Sequence, residues 1–139
     1  MPPLPPRVEY EVVPGITSPF AAAAEAEIML THKQFSSTFA TATGHDPGLL
    51  DFGALARTDT VVLLMATRTL EAIVEGLVDA GRDAATPVAV LCSATLPGRQ
   101  AWYGTLGDIV ATTKGQKLSP SVLIVGEAAR RDSRGRSVL

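Results

Sequence analysis

Val61-Val62-Leu63-Leu64-Met65 is the stretch that decides the fold. Five consecutive apolar residues without alternation describe a strand covered on both faces. Just beyond it, Leu70, Ile73, Val74, Leu77 and Val78 recur at i, i+3, i+4, i+7 and i+8. That spacing places all five on one helix face, where each side chain contributes about 1.5–3 kcal/mol when fully buried. Gly81 then ends the helix as a left-handed residue. A buried strand feeding an amphipathic helix is the repeating unit of an α/β layer.

Working outward, Pro87 opens a second buried run, Val88-Ala89-Val90-Leu91, and Ser121 to Val125 forms a third. Val62, Leu64, Ile73, Leu77, Val88, Val90, Leu123 and Val125 are the predicted core. Arg99 to Gly104 reads as an edge strand with Trp102 and Tyr103 on opposite faces, and Leu106 to about Lys114 as a helix. Upstream, Val8 to Val13 reads as a strand broken by Pro14-Gly15. The alanine-rich stretch from Ser18 to about Glu27 is a predicted helix, with Thr17 or Ser18 as its N-cap and Pro19 suited to the first turn. Phe35 to Thr43 alternates, with Phe35, Ser37, Phe39 and Thr41 on one face. Asp46-Pro47-Gly48 is a turn signal, and Asp51 to Arg57 fits one short helix. The expected fold class is α/β, a mixed β-sheet of about five strands flanked by helices. The expected organisation is a proline-rich lead over 1–6, one domain over 7–128 and a basic, disordered tail over 129–139.

Composition narrows the function classes. The 139 residues are 46% hydrophobic and 19% charged, the balance of a globular chain with a core rather than a disordered one. No apolar run reaches the roughly 18 residues of a helical membrane span, and the proline-rich N-terminus lacks the apolar centre of a signal peptide. The single Cys92 cannot form an internal disulfide, so a reducing cytoplasm is the expected setting. The net charge of −2 hides an asymmetry: Arg130, Arg131, Arg134 and Arg136 sit beside one acid, Asp132, in the last ten residues. Without those ten residues 8 basic and 13 acidic residues remain, a body of net −5. Such a body is a poor partner for nucleic acid, whose phosphates need clustered positive charge.

Three strand ends are the candidate places for chemistry. Pro14-Gly15-Ile16-Thr17-Ser18 joins a predicted strand to a helix start, where free N–H donors and a local positive potential suit a carboxylate or ribose hydroxyl. Met65-Ala66 ends the first buried run, and Ser93-Ala94-Thr95 follows the second. On residues alone, the first also reads as a turn with a capped helix and Met65 as core packing. His32 and His45, the only histidines, have no cysteine or carboxylate cluster at metal-ligand spacing, and they read as hydrogen-bonded structural residues. There is no Gly-x-Ser-x-Gly elbow and no phosphate loop.

Val12-Val13-Pro14-Gly15-Ile16-Thr17-Ser18, Leu30-Thr31-His32-Lys33, Ser36-Ser37-Thr38-Phe39 and Thr43-Gly44-His45 occur in that order. Gly98-Arg99-Gln100, Gly104-Thr105-Leu106 and the closing Ser119-Pro120-Ser121-Val122-Leu123-Ile124-Val125-Gly126-Glu127 follow. The series resembles the uroporphyrinogen-III C-methyltransferases of the tetrapyrrole methylase family, from about Tyr10 to Glu127, and matches the second half of such enzymes. The resemblance implies S-adenosylmethionine as methyl donor and a tetrapyrrole as acceptor, in sirohaem or cobalamin biosynthesis. It places Thr17, Ser18, Met65 and Ala94 at the cofactor, with no catalytic residue and no metal ligand in this stretch. Ala66 and Ala94 stand where relatives carry glycine, and the Ala66 methyl is expected to narrow the approach of a ligand to the backbone. The proton-transfer groups of the family belong to a first half whose Gly-Gly-Asp-Pro-type loop is absent here. The implied partners are that first-half protein and a second copy of the chain. The alternatives are a non-catalytic fragment or dimerisation module, or another branch such as a cobalt-precorrin methyltransferase.

Overall fold

The computed structural model describes residues 1–3 and 8–138. Residues 4–6 of the expected lead and the expected domain start at residue 7 lie outside the described residues. The elements run α1 (Ser18–Glu25), β1 (Phe39–Thr43), a 3-10 turn (Pro47–Leu49), α2 (Phe52–Arg57), β2 (Thr60–Leu64), α3 (Leu70–Asp79), β3 (Pro87–Cys92), β4 (Gln100–Thr105), α4 (Ile109–Thr112) and β5 (Ser121–Val125). A second 3-10 turn spans Glu127–Ala129.

The five strands form one sheet in the order β1-β2-β5-β3-β4. β1 and β2 are parallel, whereas β5 runs antiparallel to both β2 and β3, and β4 antiparallel to β3. The predicted mixed sheet with flanking helices is therefore the observed one, and β4 lies at its edge. Side chains alternate across it. Val61, Leu63, Val88, Val90, Leu123 and Val125 pack against Ile73 and Leu77 of α3, together with Leu55 and Ile109. Val62, Ala89, Leu91, Val122 and Ile124 pack on the other face against Ala22 and Ala23 of α1 and Ala128 and Ala129. Trp102 and Tyr103 go to opposite faces as expected.

Seven of the eight predicted core residues are buried, and Leu64 is half-buried because it sits at the open end of β2. The α3 stripe also ends one residue early, since Val78 is 36% exposed and only Leu70, Ile73 and Leu77 are buried. The stop is as predicted: Gly81 has φ +99°, its N–H bonds to the Val78 carbonyl and the Arg82 N–H to that of Leu77.

Three predicted elements differ. Residues 8–13 form no strand, and Val8, Tyr10, Val12 and Val13 are exposed, because no neighbouring strand supplies the ladder that β-prone residues need. Of Phe35 to Thr43 only Phe39–Thr43 is a strand. Before it the chain turns through a His32–Ser36 bridge, and buried Ser36 donates its hydroxyl to the Leu30 carbonyl at 2.9 Å. The helix expected over Leu106 to Lys114 is confined to Ile109–Thr112, for Asp108 turns its carboxylate back to the Thr105 N–H at 2.7 Å, and its helical run is rich in β-branched residues.

The turn into β1 is held by one carboxylate. Asp59 Oδ2 accepts from the N–H and hydroxyl of Ser37 at 2.9 and 3.1 Å and from those of Thr38 at 3.1 and 3.2 Å. The Ser37 N–H foremost, then the Ser37 hydroxyl and the Thr38 N–H, hold its pKa below the ordinary aspartate value. A depressed folded-state pKa contributes stability above the unfolded-state pKa that is lost as pH falls through the folded-state one. Asp59→Asn is thus expected to cost about 0.5–1 kcal/mol at neutral pH, solvent exposure keeping the value small. In urea titrations the difference from the wild type should shrink below about pH 4.

Among the described residues of the C-terminal segment, Arg131 lies over the Tyr103 ring at 4.5 Å and donates to the Ala26 carbonyl. Arg136 pairs with Asp132 at 3.1 Å.

Candidate functional site

The parallel strand polarity of β2 and β3 brings their carboxyl ends to one edge of the sheet, with the start of β5 between them. Open α/β sheets bind ligands at that edge. A cleft of about 490 Å³ lies there. Its floor is Leu64, Leu91 and Val122, and its walls are Ser18, Met65 and the loop Ser93-Ala94-Thr95-Leu96.

The structure brings Ser18, Met65 and Ala94, three of the four predicted cofactor residues, into this one cleft. Thr17 is the adjoining helix cap, exposed and outside the lining. Its side chain makes no capping bond; the helix start is closed instead by its carbonyl, which accepts from Phe20 and Ala21 at 3.1 Å each. The described residues offer no protein partner to either the Thr17 or the Ser18 hydroxyl, so both are available to a ligand. The approach to α1 is irregular backbone rather than the predicted strand.

Sequence reasoning missed the backbone. Four non-glycine residues have left-handed φ among those described, and three are at this cleft: Met65 at +53°, Ser93 at +50° and Thr95 at +69°. Such conformations cost about 1–3 kcal/mol each and persist where surrounding structure imposes them, often at ligand sites. For β-branched Thr95 the strain is greatest. Their effect is to turn the chain sharply at both strand ends. Met65 projects outward, 63% exposed. Nothing in the residue types announces a left-handed methionine, serine or threonine.

Ala66 corrects an expectation. Its methyl is buried and directed to Gly44, where an added Cβ would stand 2.9 Å from it. Ala66 therefore packs against the core and leaves the cleft unnarrowed. Gly98 has φ +80° in the turn before β4, a structural use. His32 stacks on Phe35 with ring centroids 5.1 Å apart and accepts from the Gln34 N–H at 3.3 Å. His45 is exposed. Neither lines the cleft, and the described residues contain no cluster able to hold a metal ion. No aspartate, glutamate, lysine or histidine lines the cleft either. Its chemistry is that of a binding surface with small side chains, two free hydroxyls nearby and exposed peptide groups.

Residues 5–110 match the family model described as Tetrapyrrole (Corrin/Porphyrin) Methylases. The chain belongs to the tetrapyrrole methylase family. This tetrapyrrole methylase chain is 40% identical over 129 residues to a siroheme synthase of Psychrobacter sp. (strain PRwf-1), covering 88% of the chain and 26% of that protein. It is 38% identical over 126 residues to a uroporphyrinogen-III C-methyltransferase of Priestia megaterium, covering 86% of the chain and 53% of that protein. In three dimensions it resembles the uroporphyrin-III C-methyl transferase of Thermus thermophilus complexed with S-adenyl homocysteine, with a TM-score of 0.71 and 31% identity over 85% of this chain and 52% of that one. The methylase chain thus spans about half the length of that transferase, and a smaller share of the synthase. No helix among the described residues is long and apolar enough to cross a membrane.

Proposed function

We propose that this chain forms one wall of an S-adenosylmethionine site in a uroporphyrinogen-III C-methyltransferase, acting in sirohaem or cobalamin biosynthesis in the cytoplasm. The observation that carries the proposal is the cleft itself, at the carboxyl ends of β2 and β3, where Ser18, Met65 and Ala94 meet. The residues fit such a ligand. Ser93, Ala94 and Ser121 are small enough to let it approach the backbone, Met65 is exposed to cover it, and the Thr17 and Ser18 hydroxyls are free for its polar groups. When bound, S-adenosylmethionine supplies an electrophilic methyl on a sulfonium; a nucleophilic carbon of the acceptor forms the new C–C bond as the C–S bond breaks. The chain's own part is to bind and orient. Proton transfer falls to groups elsewhere in the complete protein or in a partner, because the described lining residues include no carboxylate, histidine, lysine or arginine.

Ile16, Met65 and Leu96 are all more than half exposed in the lining of this cleft. Such an apolar rim suits coverage by the remainder of a methyltransferase, by a separate first-half subunit or by a second copy. The assignment is tested by titrating the ¹⁵N-labelled chain with S-adenosylhomocysteine. Shifts are expected at Ser18, Met65 and Ala94, with Thr17 beside them and a weak Kd for an open site. Shifts clustered away from these residues would overturn it.

A further inference from the structure

Glu25 is in an unfavourable place. It is the last residue of α1, where the helix dipole leaves partial negative charge and disfavours a carboxylate. Its side chain is nevertheless only 18% exposed and fully engaged. One oxygen accepts from the backbone N–H of Thr95, the other pairs with Arg99 at 2.7 Å. Thr95 is the β-branched left-handed residue of the cleft loop, and Arg99 closes that loop just before β4. The other end of α1 carries Ser18 on the same cleft. One helix therefore touches the cleft directly with its first residue and through a carboxylate clasp with its last.

We propose that Glu25 is a positioning residue for the ligand cleft: by accepting from the Thr95 N–H it holds the 93–96 loop in its left-handed turn against α1, and Arg99 holds the carboxylate in place. This role rests on the cofactor assignment above. Without the carboxylate, Thr95 relaxes toward ordinary φ, and the loop wall loses its shape before a ligand arrives. Ligand binding must then order the loop, so affinity falls while the sheet beneath is untouched. The loss belongs to the acceptor and not chiefly to the charge. A glutamine keeps an oxygen for the Thr95 N–H, and the Arg99 guanidinium, 69% exposed, keeps its water.

The test compares wild type, Glu25→Gln and Glu25→Ala as ¹⁵N-labelled full chains, reading amide exchange and S-adenosylhomocysteine titration in the same samples. Glu25→Ala is expected to raise the Kd by about tenfold or more and to speed exchange at Thr95, with β2, β3 and β5 amides unchanged. Glu25→Gln is expected to stay within about threefold of wild type. Equal affinity in wild type and Glu25→Ala, with exchange at Thr95 accelerated, would overturn the positioning role. So would exchange accelerated throughout the sheet, which marks a purely structural residue. A wild-type chain that shows no shifts with millimolar ligand overturns the cofactor assignment itself, and with it the ligand role of Glu25. That failure is told apart from the others because it appears before any substitution is made.

Discussion

Gly126→Ala is expected to lower stability by about 3 kcal/mol or more. Gly126 follows β5 with φ +141° and ψ 174°, a region open in practice only to glycine. A side chain there costs about 1–3 kcal/mol from the backbone alone. Its Cβ would also overlap the Asp59 carbonyl oxygen and stand 3.2 Å from Thr60 Cα and 3.4 Å from the Arg82 guanidinium. None of these yields easily. That carbonyl accepts from Arg82 Nη2 at 2.8 Å, and Thr60 is fully buried at the start of β2. The control is Gly135→Ala, where φ is +74° but an added Cβ meets nothing within 4 Å. It should lose only the conformational part, about 1–2 kcal/mol. Urea unfolding of both variants measures the difference. A midpoint for Gly126→Ala equal to that of Gly135→Ala would show that the close approach of β5 to the Asp59 corner is not rigid.

Methyl transfer to uroporphyrinogen III by the purified 139-residue chain is expected to stay at background. Among the described residues the cleft lining contains no carboxylate, histidine, lysine, cysteine or tyrosine to act as acid or base, and positioned proton transfer is worth roughly 10²–10⁴-fold in rate. Transfer also needs the acceptor carbon held against the methyl donor, and misplacement of about 1 Å can cost about 10²-fold. Adding a protein that carries the first half of a uroporphyrinogen methylase should recover measurable turnover. The assay follows label from S-adenosylmethionine into the tetrapyrrole. Substantial turnover by the chain alone would show that the described residues already contain a complete catalytic site.

What could be read in advance follows a physical division. β2, β3 and β5 were legible because burial on both faces leaves an uninterrupted apolar run, and Ser121–Val125 matches its predicted bounds residue for residue. The edge strand β4 was also legible, offset by one residue from the predicted Arg99 to Gly104, whereas the unpaired segment was not. Val8 to Val13 has the same residue types as a strand, but pairing is a property of neighbours and not of composition. The residues of the cleft divide likewise. The strand ends that carry Met65 and Ala94 are visible in sequence, but only the family resemblance pointed from them to a cofactor. The Glu25–Thr95 contact joins residues 70 apart, on a helix and a loop, and no local pattern marks it. The left-handed turns at Met65, Ser93 and Thr95 escaped for a related reason: glycine usually signals such a backbone, and here tertiary contacts impose it on other residues.

The position of β5 has a consequence for how the molecule is made. It is last of the five strands in sequence yet central in the sheet, pairing with β2 on one side and β3 on the other. During synthesis, β1-β2 and β3-β4 emerge as two separate pairs with nothing between them. Their inner edges stay unpaired until residue 125 has cleared the ribosome. The sheet therefore closes in one late step around its final strand, a long-range pairing that is slow by nature and leaves strand edges exposed to aggregation meanwhile. A ribosome that stalls before Ser121 releases two half-sheets, each lacking the strand that would join it to the other.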